Sequence, residues 1–543
     1  MTEPVLSVRN LTVDLPLNGD RRHAVSGLSF DIHPNEIVCV VGESGSGKSV
    51  TAFTAMGLLP KALKVSGGEM LFEGQDLVKM SRREHAGLRG KRISMVFQEP
   101  MTALNPCFTV GDQIQEIFRT HTKLSSAECK ARTMALLEEV LLPDPPRVYA
   151  SYPHQLSGGQ RQRIVIAIAL AMDPKLLIAD EPTTALDVTT QAQILAMFKT
   201  LKTTHNAGIL FVTHDFDVVA EIADRVLVMQ KGIVVEQGSA DEVLNNPQHP
   251  YTRQLIAAVP RKRDGEAPAL QEEVALRVKG LSKTYHVSRT LTRKARTVQA
   301  LYPADFTVRK GETLGIVGES GSGKTTLVRC LIRLLDPDEG EIWIGDRDFA
   351  KGSRGSLRTA RQDIQIVFQD PYGSLNPRRS IGEQLIGGPM NFGVSRSVAW
   401  ERAKRLMQIV RLGEDALHRY PSQFSGGQRQ RICIARALMV EPKVLIADEA
   451  VSALDVSVQK EVLQLLADIK REMGLTILFI THDLRVASQI CDNLIVMNKG
   501  QIVERGTVDQ VFGNPQDAYT RQLLSAMPGR GWEVPALEAQ PAA

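Results

Sequence analysis

Cysteine spacing of the metal-binding kind is missing from this sequence. Its six cysteines, Cys39, Cys107, Cys129, Cys330, Cys433 and Cys491, are scattered and never form a C-x-x-C pair. That argues against a zinc site or an iron–sulfur cluster and fits reduced cytosolic thiols. Also missing is an apolar run long enough to cross a bilayer. The longest, Ile164 to Met172, stops at Asp173-Pro174, well short of the ~20 residues a span needs. The opening Met1-Thr2-Glu3-Pro4 carries no charged-then-apolar signal. The expected place is the cytoplasm, unless a partner holds the protein at a membrane. Nor is there an excess of one charge: 65 basic against 61 acidic residues leave a net +4. Nothing in that balance calls for nucleic acid or an anionic membrane as the main partner. With 43% hydrophobic and 23% charged residues, disordered and fibrous classes are excluded.

What is present is present twice. Gly42-Glu43-Ser44-Gly45-Ser46-Gly47-Lys48-Ser49 returns as Gly318-Glu319-Ser320-Gly321-Ser322-Gly323-Lys324-Thr325, followed by Thr326. Ser157-Gly158-Gly159-Gln160 returns as Ser425-Gly426-Gly427-Gln428, and each is followed by Leu-Ile-Ala-Asp-Glu, ending at Glu181 and Glu449. At 543 residues, length alone predicts roughly three or four domains. The repeat corrects this to two of about 260 residues each. We read 1–260 as the first, 261–273 as an exposed charged linker, 274–528 as the second, and 529–543, rich in Ala, Pro and Gly, as a frayed tail.

Each half opens with a strand-like segment, Val5 to Val13 and Val274 to Val278. A short strand then runs into the glycine loop, Glu36 to Val41 and Thr313 to Val317. Helical patterns follow at Val50 to Leu59 and Thr326 to Leu335, with Pro60 and Pro337 as stops. The polar, helix-patterned stretches Val110 to Val140 and Gly382 to Val410 suggest a helical subdomain inserted into an α/β core. Later apolar segments, Leu176 to Ala179, Ile209 to Thr213 and Val226 to Met229, have the βαβ rhythm of a buried parallel sheet. Their second copies are Val444 to Ala447, Thr476 to Thr481 and Leu494 to Met497.

A strand, a glycine loop and a helix together form a phosphate-binding context. Glycines let successive backbone N–H groups converge on phosphate oxygens, and the helix N-terminus adds its positive end. Lys48 and Lys324 supply a point charge; Ser49 and Thr325 supply a hydroxyl for Mg²⁺, which prefers hard oxygen donors. Asp180 and Asp448 end apolar strands, where a carboxylate can serve the Mg²⁺ shell. Glu181 and Glu449 follow them as candidate general bases toward water. Gln98 and Gln369, each after Val-Phe, and His214 and His482, each in Thr-His-Asp, are weak signals singly, since a strand-end histidine is usually structural. Their recurrence in register favours glutamine as a Mg²⁺ and water contact and histidine as a γ-phosphate sensor.

In this order the phosphate loop, Gln, Ser-Gly-Gly-Gln, Asp-Glu, Ala-Leu-Asp and Thr-His-Asp resemble the nucleotide-binding domain of ABC proteins, and the resemblance covers nearly the whole chain. It implies two tandem ATP-hydrolysing domains of P-loop α/β fold. Each would have a RecA-like parallel-sheet core, an antiparallel β subdomain and an inserted helical one, with ATP and Mg²⁺ as ligands. It also implies head-to-tail pairing, in which Ser157 to Gln160 complete the Lys324 site and Ser425 to Gln428 the Lys48 site. Adenine in this family usually stacks on an aromatic residue upstream of the loop. Tyr285 occupies that place in the second half and Leu15 in the first, so the Lys48 site is expected to bind nucleotide more weakly.

Two further stretches resemble the peptide and nickel importer branch. One is Glu99 to Pro106 with its copy Asp370 to Pro377; the other is Asn246 to Leu255 with its copy Asn514 to Leu523, each ending in Tyr-Thr-Arg-Gln-Leu. The resemblance implies a fused pair of ATPase subunits at the cytoplasmic face of a bacterial inner membrane. Its partners would be two integral-membrane permeases and a periplasmic solute-binding protein, with peptides, glutathione or related compounds as cargo. Membrane contact would run through the permeases alone, with no nucleic acid and no iron–sulfur cluster. The rival is a soluble tandem ABC factor acting on ribosomes, which calls for a long charged helical linker; here the linker is short and holds Gly265 and Pro268. DNA-repair relatives call for zinc-type cysteine pairs and a coiled-coil insertion, both missing. The basic run Arg289, Arg293, Lys294, Arg296 is equally well explained by a solvated loop.

Overall fold

The computed structural model describes residues 3–16, 21–184, 186–263, 270–287, 296–350, 354–452 and 454–535. The core of the proposed linker, 264–269, the tail from 536, and Arg289, Arg293 and Lys294 of the basic run lie outside them. Two compact units divide the chain. One runs to Leu186, resumes over Thr190–Val259 and takes in the chain from Pro528; the other holds Asp187–Thr189 and Pro260–Met527. Of the tail, Trp532 lies within the first unit and donates through Nε1 to Asn245 Oδ1 at 3.0 Å.

In chain order the strands of the first unit are β1 (Leu6–Asp14), β2 (His23–Ile32), β3 (Ile37–Val41), β4 (Lys64–Phe72), β5 (Gln75–Asp76), β6 (Ile93–Val96), β7 (Leu176–Asp180), β8 (Gly208–Val212), β9 (Arg225–Gln230) and β10 (Ile233–Ser239). They form two sheets. One has the order β10-β9-β3-β8-β7-β6, with β9 through β6 parallel and β10 antiparallel at the edge; the other, β2-β1-β4-β5, is antiparallel. β3, β7 and β8 are buried along their whole length, which explains apolar runs without alternation: both faces are covered. β2 alternates from Leu28 through Phe30 to Ile32, as a sheet with one wet face does. Its inward residues, with Leu6 and Val8 of β1, pack in one apolar cluster with Val38, Val40, Leu176 and Ile178 of the parallel sheet.

The second unit repeats this with β11 (Val274–Val287), β12 (Arg296–Arg309), β13 (Thr313–Val317), β14 (Glu339–Ile344), β15 (Arg347–Asp348), β16 (Ile364–Val367), β17 (Val444–Asp448), β18 (Thr476–Thr481), β19 (Asn493–Asn498) and β20 (Gln501–Thr507). The orders are β16-β17-β18-β13-β19-β20 and β12-β11-β14-β15, strand for strand those of the first unit. The helical insertions appear as Val110–His121 and Ser126–Glu139, and as Ile381–Asn391 and Arg396–Ile409. Each unit is therefore an α/β fold with parallel core, antiparallel sheet and helical insertion.

The helices after the glycine loops differ from the pattern reading. They begin two residues earlier, at Lys48 and Lys324, and end at Ala55 and Leu331, well before Pro60 and Pro337. Left-handed backbone ends them: Gly57 has φ 60° and Arg333 φ 54°. A turn residue with positive φ breaks the hydrogen-bond ladder before any proline is reached.

Candidate functional site

The parallel sheet delivers the proposed residues to one edge. β3 ends at Val41, the loop Gly42 to Gly47 follows, and the helix Lys48–Ala55 leaves it; β13 and Lys324–Leu331 do the same. Gly42 has φ 150°, and a Cβ there would lie 2.2 Å from the Met229 carbonyl oxygen; Gly318 meets Met497 at the same distance. No other residue fits. The lysines are folded into their own loops: Lys48 Nζ donates to the carbonyls of Gly42 at 2.7 Å and Glu43 at 2.9 Å. Lys324 Nζ does so to Gly318 at 2.6 Å and Glu319 at 2.9 Å. Both are nearly buried, and burial pulls the Lys324 ammonium below its ordinary range. Ser46 Oγ is buried inside the loop with no partner, a polar atom that an entering oxyanion would satisfy.

β7 and β17 carry the carboxylates. Ser49 Oγ donates to Asp180 Oδ1 at 3.0 Å. Burial, with the neighbouring Glu181 charge, raises the Asp180 carboxyl, and the Ser49 bond opposes it. Burial and the Glu449 charge push Asp448 up to about 6. The next residues leave the strand with left-handed backbone, φ 46° at Glu181 and φ 49° at Glu449, an uncommon conformation for a non-glycine. Their N–H groups are held by the carbonyls of Val212 and Ile480, each at 2.9 Å.

That turn brings three proposed residues together in each unit. Gln98 Nε2 donates to Glu181 Oε2 at 2.9 Å, and His214 Nδ1 lies 3.3 Å from Glu181 Oε1. Gln369 donates to Glu449 at 2.8 Å, with His482 at 3.5 Å. Burial alone would raise both glutamates; hydrogen bonding and charge from the histidine outweigh it. Glu181, helped also by Lys48 and Thr184, falls to about 2, and Glu449 falls as well. Burial pulls both histidines down, but the glutamates hold them above the ordinary range.

The Ser-Gly-Gly-Gln segments start helices Gly158–Leu170 and Gly426–Leu438. Ser157 Oγ accepts from Gln160 N at 3.3 Å while Gln160 Oε1 accepts from Ser157 N at 3.1 Å; Ser425 and Gln428 repeat this at 3.3 and 3.0 Å. This reciprocal cap fixes the helix start. Gly159 and Gly427 are required by packing, since a Cβ would lie 2.4 Å from Thr190 and 2.2 Å from Val458. Gly158 and Gly426 face open space instead.

The β1–β2 pairing supports the alignment of Leu15 with Tyr285. Leu15 N bonds to Arg22 O, and Tyr285 pairs with Val298 at the matching position of β12. Tyr285 is 39% exposed; Leu15 packs against the apolar cluster.

Three contacts escaped the sequence reading. Thr184 Oγ1 donates to Glu181 Oε2 at 3.0 Å, and the Arg21 guanidinium donates to the Gly45 carbonyl. Arg21 is not repeated, the second copy having Thr297 there; Thr184 had a signal in its matching hydroxyl Ser452, between the repeated Asp-Glu and Ala-Leu-Asp. The third is repeated: Tyr251 Oη accepts from Glu43 N at 3.2 Å and Tyr519 Oη from Glu319 N at 3.1 Å. Their signal was the duplicated Tyr-Thr-Arg-Gln-Leu.

Comparison with known proteins shows the family. The family model "ABC transporter" matches residues 25–184 and 301–452, and "Oligopeptide/dipeptide transporter, C-terminal region" matches 235–286 and 503–541. The peptidoglycan transport ATP-binding protein YejF of Agrobacterium fabrum is 46% identical over 97% of this chain and 96% of its own. The glutathione import ATP-binding protein GsiA of Salmonella choleraesuis is 45% identical over 96% and 89%. Among solved structures, cbiO1 of Clostridium perfringens, part of the ABC transporter complex cbiONQ, is 29% identical, covers 45% of this chain and 92% of its own, and has a TM-score of 0.40. Full-length matches to import ATP-binding proteins displace the ribosomal alternative. The chain therefore belongs to the ABC transporter family, as an import-type subunit with two ATP-binding domains in tandem whose ATP hydrolysis is coupled to transport.

Proposed function

We propose that this subunit powers uptake of peptides or of small peptide-like compounds such as glutathione. The observation that carries the mechanism is the glutamate held jointly by Gln and His in both units. Gly42 to Ser49 and Gly318 to Thr326 take the nucleotide phosphates, and Ser157 to Gln160 and Ser425 to Gln428 present helix N-termini toward phosphate charge. Oxygen donors Ser49, Asp180, Thr325 and Asp448, with Gln98 and Gln369, suit Mg²⁺. When bound, that ion would neutralise phosphate charge.

In this arrangement Glu181 is a weak base, ionised and paired with His214. For turnover, His214 exchanges Glu181 for the γ-phosphate and Gln98 orients the water. Water attacks the γ-phosphorus, its proton passes to the freed Glu181 carboxylate, and the bond to ADP breaks. Glu449, His482 and Gln369 perform the same steps.

No helix among the described residues is long and apolar enough to cross a membrane, so the solute path belongs to partners. We assign these as two integral-membrane permeases fed by a periplasmic solute-binding protein, with this chain on their cytoplasmic face. Support comes from large apolar side chains exposed close to the glutamines in sequence: Phe97, Met101 and Phe108 near Gln98, and Phe368 and Tyr372 near Gln369. The test is purification from membranes under mild detergent. Two co-purifying permeases, and ATPase activity stimulated by a cargo-loaded binding protein, are expected. Sedimentation with ribosomes and no membrane partner would overturn the reading.

A further inference from the structure

The Tyr-Thr-Arg-Gln-Leu segments lie inside the stretches matched to the oligopeptide/dipeptide C-terminal region, and a role can be read for the tyrosine, the arginine and the leucine. Tyr251 stands on the helix Pro250–Ile256, and Tyr519 on Ala518–Ser525. Loops leading into these helices are fastened to the sheet edge. Glu236 of β10 accepts from Gln248 N at 2.6 Å and His249 N at 3.1 Å; Glu504 of β20 accepts from Gln516 N at 2.7 Å and Asp517 N at 3.1 Å. His249 Nδ1 then caps Tyr251 N at 3.2 Å, and Asp517 Oδ1 caps Tyr519 N at 2.8 Å. Arg253 and Arg521 close the same loops by donating to the carbonyls of Pro247 and Pro515, at 2.8 and 3.0 Å. Leu255 and Leu523 are buried in the apolar interior. Only the tyrosine hydroxyl reaches out, and in both units it reaches the phosphate loop.

We propose that Tyr251 and Tyr519 are positioning residues for the nucleotide sites, holding each phosphate loop from the end of its own domain. A loop of glycines has many conformations to lose on binding phosphate. A hydroxyl that accepts the N–H of its second residue fixes where the loop leaves its strand and leaves the following N–H groups for the ligand. The chain is Glu236, loop, Tyr251, Glu43 in one unit and Glu504, loop, Tyr519, Glu319 in the other. Anything that shifts the closing helix of a domain thereby shifts the affinity of its ATP site. Burial, opposed by the bond from Glu319 N and reinforced by the Glu319 charge, pushes the Tyr519 hydroxyl up to about 12, so it stays protonated as the loop's partner.

This rests on assigning nucleotide to the phosphate loops, and the experiment separates the two. Tyr251→Phe and Tyr519→Phe in the full chain keep the ring and remove only the oxygen. We expect KM for MgATP to rise about three- to tenfold, the range of one net hydrogen bond, with kcat within about twofold. The melting temperature without nucleotide should hold while its rise on adding MgATP shrinks. Reverting Phe to Tyr restores both, whereas a tyrosine that merely packs would leave KM unmoved. Unchanged KM and an unchanged ATP-induced rise in both variants would overturn the positioning role. MgATP binding that survives Lys48→Ala plus Lys324→Ala undiminished would instead overturn the site assignment beneath it.

Discussion

The two ATP-binding domains agree where phosphate chemistry would occur and differ where a base would rest. The lysine contacts, the left-handed glutamate and its glutamine and histidine partners recur within tenths of an ångström. Upstream of the loop the second domain offers the half-exposed ring of Tyr285. The first offers Leu15, and from β2's approach Arg21, bonded to the Gly45 carbonyl, where the second has Thr297. The carboxylates differ too: Asp180 receives the Ser49 hydroxyl, which counters its burial, whereas Asp448 is pushed up to about 6. Across the duplication the glutamate, glutamine and histidine contacts are kept, while the residue upstream of the loop changes from Leu15 to Tyr285. We therefore expect two sites that share the glutamate, glutamine and histidine arrangement and differ in nucleotide affinity.

The largest effect should come from the part the domains share. Glu181→Gln with Glu449→Gln removes both proposed bases while keeping the Gln98 and Gln369 contacts possible through an amide oxygen. Steady-state turnover should fall by about a thousandfold, in the range a positioned base supplies, with MgATP binding retained. The single variants sharpen the comparison. Equal residual rates would make the domains equivalent in chemistry, and a normal rate in the double variant would remove both residues from catalysis.

A smaller effect belongs to the part that differs. Stacking of a base on an aromatic ring is worth ~1–3 kcal/mol, so Tyr285→Leu should weaken the Lys324 site about five- to a hundredfold and bring it toward the Lys48 site. Leu15→Tyr should tighten the Lys48 site. Titration of each site separately, with the other lysine replaced by alanine, reads both. Equal affinities in the unaltered domains would end the idea that Leu15 sets the first site apart.

Much of this was legible because a repeated motif restates itself in register: Lys48, Asp180, Glu181, Gln98 and His214 were each readable against a second copy. Strands buried on both faces, such as β7 and β8, announced themselves as apolar runs. The half-wet strand β4 and the edge strands β5 and β10 did not, because a strand with a wet face carries mixed residues such as those of Lys64 to Phe72. The helix ends depart from the proline stops because left-handed Gly57 and Arg333 end the helices before Pro60 and Pro337 are reached. Arg21 and Thr184 depend on side chains reaching across turns, which spacing does not encode. Tyr251 was visible as a marker, but its contact with Glu43, about two hundred residues earlier in sequence, arises from β-sheet topology.

The smallest effect tests whether the domains differ in stability as well as in affinity. His205, mostly buried, bridges Glu139 at 2.7 Å and Asp173 at 2.6 Å; the second domain has Met473 at the matching helix end. Burial would lower the histidine's pKa, but its bonds to the two carboxylates raise it above the ordinary value. A raised folded pKa means that the contribution is complete below about pH 6.5, the unfolded value, and is lost as pH climbs through the folded one. Both carboxylates are more than a third exposed, so solvent screening holds the gain to ~1 kcal/mol or less. Hydrogen exchange of the helix Val188–Thr204, corrected for its intrinsic pH dependence, should therefore lose up to about fivefold protection between pH 6 and pH 8.5. The matching helix Val456–Met473 should not. His205→Met ought to make the first helix behave like the second, and a pH-dependent loss that persists in that variant would place its origin elsewhere in the domain.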